Sequence, residues 1–189
     1  MKPTSRQTYR IVRAMLNLRK FTQYKISKEE KVAFSLVNRV VNWFLARGYI
    51  AKRPGYYELV SPAAIFSIFP LYRKLKPYGV IDVDMPKEQL FALLGGKAKL
   101  CLTSALSYYD NSYRDPALCI YLDNSEILSK LKQLPKGYLH IELYKEDLSS
   151  EDFVIKNGVP ITTKARTVID LFCANKAYST EHLIKREWI

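Results

Sequence analysis

The chain has 189 residues, of which 48% are hydrophobic and 25% are charged, close to the averages for globular proteins. This composition excludes a wholly disordered chain, and no apolar run reaches the roughly 18 residues that a membrane-spanning helix needs. The first six residues lack the apolar core of a signal peptide, so we expect a cytoplasmic protein that does not associate with membranes.

Cysteine and histidine are few and scattered, at Cys101, Cys119, Cys173, His140 and His182. No cysteine belongs to a Cys-x-x-Cys pair, and neither histidine has a cysteine or carboxylate partner at ligand spacing. The sequence therefore predicts neither a disulfide framework nor a metal site, and nothing in it indicates a cofactor.

The net charge of +12 is concentrated at the N-terminal end. Residues 1–60 hold 13 of the 30 Lys and Arg but only three of the 18 Asp and Glu, which gives +10 and leaves +2 for the rest. Positive charge confined to one segment is typical of a module that neutralises phosphates, whereas a merely solubilising charge would be spread over the chain.

Apolar periodicity in the N-terminal third predicts two helices and a strand between them. The first helix runs from an N-cap at Thr4 or Ser5 to Leu18. Alternating aromatic and β-branched residues over 21–26 predict a short strand. Ser27-Lys28-Glu29-Glu30 then matches a capping box, which predicts a second helix that ends near Ala33.

A third helix and a hairpin follow. Ser35 is the predicted N-cap of the third helix, which stops at Arg47-Gly48, and Pro54-Gly55 separates strands at 49–53 and 56–60. Helix, strand, helix, helix and hairpin is the order of a winged helix-turn-helix, so residues 1–62 are predicted to form a DNA-binding domain of that class.

A connecting helix and linker are predicted at 63–78, followed by a mixed α/β domain at 79–189, so that the fold class is α+β. Strands are predicted at 79–85, 117–123 and 138–144, helices at 87–94, 99–109 and 125–134, a hairpin around Asn157-Gly158, a helix at 164–174 and a short last helix from about 181.

The third helix has a polar face opposite its apolar stripe. It consists of Ser35, Asn38, Arg39 and Asn42, spaced to lie together. Arg pairs with guanine and Asn with adenine in a major groove, so these four residues are predicted to read bases. A solvated helix face is the alternative explanation.

Contacts to the DNA backbone are predicted from the wing and from the basic residues before it. The candidates are Lys52, Arg53, Tyr56, Lys28, Lys25, Arg6 and Arg10, with Arg13 and Lys31 as further basic residues. Period two places one of Tyr56 and Tyr57 in the core, and the sequence does not say which. Surface solubility is the alternative for the basic residues.

Two motifs in the second part resemble the AbiEi family of type IV antitoxins. They are Leu-Cys-Leu-Thr-Ser-Ala-Leu-Ser-Tyr-Tyr at 100–109, which contains Ser104, and Gly-Val-Pro-Ile-Thr-Thr-Lys-Ala-Arg-Thr-Val-Ile-Asp-Leu at 158–171, which contains Arg166 and Asp170. The resemblance implies a repressor of its own operon whose C-terminal domain counters a nucleotidyltransferase-like toxin. Because Arg166 and Asp170 stand four apart, they would equally suit an ion pair on a helix.

Two other functions remain open from the residues alone. Asp82 and Asp84, with Glu142, would suit a Mg²⁺-dependent DNA-processing or nucleotidyl-transfer enzyme, although an exposed strand face explains the two aspartates as well. A plain winged-helix regulator with a protein-interaction domain is the other alternative. We expect a non-enzymatic protein without catalytic residues that binds double-stranded DNA, with the toxin as a possible functional partner and the oligomeric state undetermined.

Overall fold

The computed structural model describes residues 1–148 and 151–189 and has the predicted α+β class. Two compact units divide the chain: Met1–Lys74 together with Leu183–Ile189, and Leu75–His182. The helices are α1 (Arg6–Leu18), α2 (Gln23–Glu30), α3 (Phe34–Leu45), α4 (Pro62–Ile68), α5 (Lys87–Leu94), α6 (Leu102–Leu106), α7 (Ser125–Gln133), α8 (Lys164–Cys173) and α9 (Glu181–Trp188). The strands are β1 (Lys20–Phe21), β2 (Ile50–Arg53), β3 (Tyr56–Leu59), β4 (Gly79–Val83), β5 (Ala98–Leu100), β6 (Leu118–Leu122), β7 (Leu139–Tyr144), β8 (Phe153–Lys156) and β9 (Val159–Thr162).

The first unit contains the predicted winged helix-turn-helix. Helices α1, α2 and α3 pack against one another, and α1 and α3 also contact a three-stranded antiparallel sheet of order β1-β3-β2, in which β2 and β3 form the wing. Its core is a continuous set of buried apolar side chains: Tyr9, Ile11, Val12, Met15, Leu16, Phe21, Ile26, Val37, Val40, Val41, Phe44, Ile50, Ile65, Phe66 and Phe69.

Helix α2 begins five residues earlier than the sequence predicted, with its N-cap at Thr22 instead of Ser27. Thr22 is its N-cap, and the Thr22 hydroxyl oxygen accepts the backbone N–H of Lys25 at 3.1 Å. The predicted strand over 21–26 is therefore wrong beyond Phe21, because a cap at Thr22 outweighs the local alternation of side chains. Ser27 lies inside α2 rather than at its start.

The turn between α2 and α3 is short and tightly fixed. Lys31 has a left-handed backbone with φ of 51°, and the Ser27 hydroxyl donates to the backbone oxygen of Val32 at 2.8 Å. Helix α2 ends at Glu30 rather than near Ala33, and Ala33, not Ser35, is the N-cap of α3. Ser35 thus lies within the first turn of α3.

The second unit is built on a six-stranded mixed sheet of order β4-β7-β6-β5-β9-β8. Neighbouring strands alternate between antiparallel and parallel pairing, with β6–β7 and β5–β9 as the parallel pairs. Helix α8 packs against α6, and its side chains reach Tyr121 on β6 and Thr162 on β9. The two motifs that resemble the AbiEi family, which contain α6 and α8, therefore lie side by side.

The helix predicted over 99–109 divides into a strand and a helix. Leu100 pairs with Ile120 of β6 and with Ile161 of β9, so the first residues of this run form β5 of the sheet. Leu102 then has a φ of 49° and starts α6. A short apolar run does not reveal such pairing, since its partners are distant in sequence.

The division into units differs from the predicted domains at both ends. Residues 63–74, which lie within the predicted connecting helix and linker, belong to the first unit, and the chain returns to that unit at Leu183. There the Trp188 ring packs on Phe66, with centroids 5.2 Å apart. Within the described ranges, no helix is long and apolar enough to cross a membrane.

Candidate nucleic-acid interface

The four predicted base-reading residues lie together on one exposed face of α3. Ser35, Asn38, Arg39 and Asn42 are all exposed. The opposite face is buried in the core through Val37, Val40, Val41 and Phe44. This division matches the shape of a helix that enters a groove with one side and packs with the other.

Three amide side chains and a tyrosine form a network beside this face. Gln23 Nε2 donates to Asn38 Oδ1 at 3.1 Å and to the Tyr57 hydroxyl oxygen at 3.3 Å. Asn42 Nδ2 donates to the same Asn38 Oδ1 at 3.0 Å. The network joins α2, α3 and β3. The sequence did not indicate Gln23, because it stood in a predicted strand.

Arg39 and Phe34 complete the exposed face. Arg39 has no hydrogen-bond or carboxylate partner within the described part of the chain. Phe34, the first residue of α3, is 51% exposed and lies one turn before Asn38. Aromatic side chains contact thymine methyl groups in major grooves, so Phe34 is a further candidate that the sequence analysis missed.

The two faces of the wing are now distinguished. Tyr57 is the inward residue: its ring stacks on the buried Phe21, with centroids 5.9 Å apart and planes 17° apart. Lys52 lies opposite Tyr57 in the register and Arg53 lies opposite Tyr56. Lys52 therefore shares a face with Tyr57, and Tyr56 and Arg53 occupy the other face.

The charges on these two faces differ in how they are balanced. Arg53 Nε donates to Glu58 at 3.1 Å, and Lys20 is 3.4 Å from the same carboxylate. The hydrogen bond from Arg53, with the charge of Lys20, holds the pKa of Glu58 below its ordinary value. Lys52 has no such carboxylate among the described residues and is the wing cation most available to a phosphate.

The remaining candidates for contact with the DNA backbone also differ in whether a carboxylate lies beside them. Arg10 and Arg13 on α1 both bind Glu30 on α2, at 3.3 and 3.0 Å, which favours a role in holding the two helices together. Lys25 has Glu29 at 3.9 Å on the surface of α2. Two others, Arg6 and Lys28, are exposed and have no ion-pair partner in the described ranges.

The Arg166 motif forms a buried polar cluster in the second unit. Arg166 is fully buried, and its Nε contacts both carboxylate oxygens of Asp170, at 2.9 and 3.0 Å. The Tyr121 hydroxyl accepts from Arg166 at 3.0 Å and donates to Asp170 at 2.9 Å. Asp152, also buried, lies 3.8 Å from the guanidinium, and Asp147 lies 3.4 Å from it. This is a structural ion-pair network between α8, β6 and the segment around β8.

Ser104 has a local structural partner set. Its hydroxyl accepts the backbone N–H of Cys119 at 2.8 Å and donates to the backbone oxygen of Ala117 at 3.4 Å. Cys119 itself is buried, and this burial raises the pKa of its thiol to about 12, which suppresses thiolate chemistry. Ser104 thus ties α6 to β6.

Two of the three carboxylates of the enzyme alternative, Asp82 and Glu142, have local hydrogen-bond partners. Asp82 lies 2.7 Å from Nδ1 of His140, its cross-strand neighbour. Glu142 accepts the Tyr144 hydroxyl at 2.6 Å and the Cys119 thiol at 3.4 Å, and Asp84 is exposed. Among the residues that the structure describes, no group of three or more His, Cys, Asp or Glu side chains could hold a metal ion.

A cavity of about 340 Å³ lies in the second unit, lined in part by Lys87, Ser104, Ser107 and Arg114. Its two serine hydroxyls already donate to the backbone oxygens of Ala117 and Ser104. These two hydroxyls therefore serve the packing of α6.

Comparison with family models, curated proteins and solved structures finds no match for this chain. The resemblance to the AbiEi family therefore stays a prediction. A proposal of function must therefore be argued from the chain's own residues, above all those of α3 and the wing.

Proposed function

We propose that this protein is a sequence-specific regulator of transcription that binds double-stranded DNA in the cytoplasm. One observation carries the proposal: the exposed face of α3 bears Asn38, Arg39 and Asn42, while the other face of the same helix is buried. An exposed face of this composition, on the third helix of a winged helix-turn-helix, suits a major groove.

The chemistry of the face assigns roles to its residues. Arg39, with no intramolecular partner in the described ranges, is available to pair with guanine O6 and N7. Lys52, Lys28 and Arg6 are exposed cations that would neutralise phosphates on either side of that contact. The +10 charge of residues 1–60 would draw this unit to DNA of any sequence before the bases are read.

Selection from a random duplex library, followed by gel-shift mapping on the DNA upstream of the gene, tests the proposal. We expect wild-type protein to enrich a defined motif and Arg39→Ala to weaken binding to that motif by about 1–3 kcal/mol. Lys132→Ala on α7 removes the same charge from an exposed position in the second unit, and it should leave motif affinity unchanged. Equal loss of specific and random binding in Arg39→Ala would contradict its assignment as a base reader.

The resemblance of 100–109 and 158–171 to AbiEi proteins supports a more specific proposal, that of an autorepressing antitoxin-like protein. The second unit would then counter a nucleotidyltransferase-like toxin, with or without direct contact. Co-expression tests this: the protein should rescue growth against a nucleotidyltransferase-like protein encoded beside it. Repression of its own promoter without rescue would leave the plain regulator.

A further inference from the structure

Asn38 is unusual among the exposed residues of α3 because its carbonyl oxygen is already occupied. Asn38 Oδ1 accepts Gln23 Nε2 at 3.1 Å and Asn42 Nδ2 at 3.0 Å. A carbonyl oxygen has two lone pairs, so these two donors fill its acceptor capacity. Towards a ligand, Asn38 presents its N–H groups alone.

We propose that Gln23 is a positioning residue for sequence recognition: it clamps the Asn38 carboxamide so that Asn38 selects a base edge made of hydrogen-bond acceptors. This inference rests on the proposed DNA binding. An unclamped Asn favours adenine, because it donates to N7 while its carbonyl accepts from the N6 amino group. With Oδ1 occupied, the second of these bonds is lost, and guanine, which presents acceptors at both N7 and O6, fits better.

Tyr57 of the wing holds the Gln23 side chain in place. The Tyr57 hydroxyl oxygen accepts a second hydrogen bond from Gln23 Nε2 at 3.3 Å, and the Tyr57 ring is fixed by stacking on Phe21. The backbone of Gln23 is fixed as well, since it is the first residue of α2 after the Thr22 cap. Few rotamers of Gln23 satisfy both partners, so Asn38 is preorganised before DNA arrives.

Asn42 differs from Asn38 because its carbonyl oxygen accepts no hydrogen bond within the described part of the chain, and it therefore serves as an internal comparison. It uses one N–H on Asn38 and keeps its carbonyl oxygen and a second N–H for a ligand. Asn42 can therefore pair with adenine in two bonds while Asn38 cannot. Two asparagines one helical turn apart are thereby given different base preferences by a residue on another helix.

The experiment compares motifs selected by full-length variants from one random duplex library. Asn38→Ala identifies the base pair that Asn38 contacts, as the position at which preference flattens. There, wild-type protein should favour guanine over adenine. Gln23→Met, of similar length but without donors, should shift that position towards adenine by about fivefold or more, the discrimination expected of one bidentate pair. The Asn42 position should not change.

Tyr57→Phe is the matched control variant. It removes the hydroxyl that steadies Gln23 but leaves the bond from Gln23 to Asn38, so the shift towards adenine should be smaller than in Gln23→Met. Unchanged helical circular dichroism and unchanged affinity for random DNA establish that the variants are folded.

The outcomes separate the two proposals. No enriched motif with wild-type protein overturns the proposed function and this inference with it. A wild-type motif with adenine at the Asn38 position, a Gln23→Met profile identical to wild type, or no flattened position in Asn38→Ala overturns the clamp alone.

Discussion

The indole N–H of Trp188 donates to the backbone oxygen of Leu16 at 2.8 Å, although 172 residues separate the two. Leu16 lies in the last turn of α1, where backbone oxygens have no partner within the helix. The adjacent Met15 oxygen is satisfied by the N–H of Arg19, and the Trp188 indole satisfies the next one. The C-terminal residue of α9 thus caps the first helix of the first unit.

Loss of this cap should weaken the first unit. We expect Trp188→Ala to destabilise it by about 3–5 kcal/mol, because a buried ring on Phe66 is lost with the hydrogen bond. Trp188→Phe keeps most of the ring and should cost about 1 kcal/mol. Hydrogen exchange of the α1 amides measures both. Ile189→Ala, at an exposed position, is the control, and an equal effect from it would contradict the capping role.

The buried Arg166 should tolerate replacement less well than its partner Asp170. Arg166→Met leaves Asp170 and Asp152 buried without their cation, which should cost about 3–5 kcal/mol in equilibrium unfolding. Asp170→Asn should cost less, since Asp152 and Asp147 still face the guanidinium. Arg166→Lys should not restore stability, because one ammonium cannot reach Asp170, Tyr121 and Asp152 at the same time as the guanidinium does. A larger cost for Asp170→Asn would contradict this order.

Acid should weaken the second unit through Asp110. Burial alone would raise the pKa of this carboxyl, but hydrogen bonds from the backbone and side chain of Ser112 and from His182 hold it below the ordinary 3.8. A lowered folded pKa means that the charged form adds stability above about pH 4, and this is lost as pH falls through the folded pKa. The stability difference between wild type and Asp110→Asn should therefore shrink on acidification. Urea unfolding at several pH values measures it, and a constant difference would contradict the assignment.

The N-cap at Thr22 offers a test of where α2 begins. Thr22→Ala removes the acceptor for the N–H of Lys25 and should cost about 1 kcal/mol. Thr22→Ser keeps the hydroxyl and should be nearly neutral. We therefore expect the backbone amides of residues 23–30 to exchange faster than in wild type in Thr22→Ala, but not in Thr22→Ser. Equal exchange in both variants would argue that Thr22 is not the N-cap of α2.

The two wing cations should respond differently to salt. Lys52→Ala should lower the slope of log affinity against log salt by about 0.9, the value for one phosphate contact. Arg53→Ala should change the slope less, because Glu58 already neutralises that guanidinium. Gel shifts on random duplex DNA at several salt concentrations provide the slopes, with Lys132→Ala as the charge-matched control. A larger change from Arg53→Ala would reverse the assignment.

Sequence periodicity predicted most elements because their side-chain patterns are local. Helix α5 spans the predicted residues 87–94, and the exposed and buried faces of α3 follow directly from its spacing. The fold class and the wing hairpin are confirmed for the same reason. Element type is decided largely within a window of about a dozen residues.

The remaining features depend on partners far away in sequence. Leu100 became a strand residue because Ile120 and Ile161 lie beside it. Gln23 acquired its place in the candidate site from Asn38 and Tyr57, 15 and 34 residues away. No pattern around Gln23 could reveal those bonds, since they exist only once α2, α3 and β3 are assembled.

The return of residues 183–189 to the first unit also matters during synthesis. A ribosome releases α1, α2, α3 and the wing early, yet the segment that satisfies the Leu16 oxygen emerges only after the whole second unit. At roughly 5–20 residues per second, the nascent first unit spends several seconds or more without residues 183–189. Until residues 183–189 have been synthesised, the first unit lacks the segment that satisfies the Leu16 oxygen, so this unit matures only after the second unit has been translated.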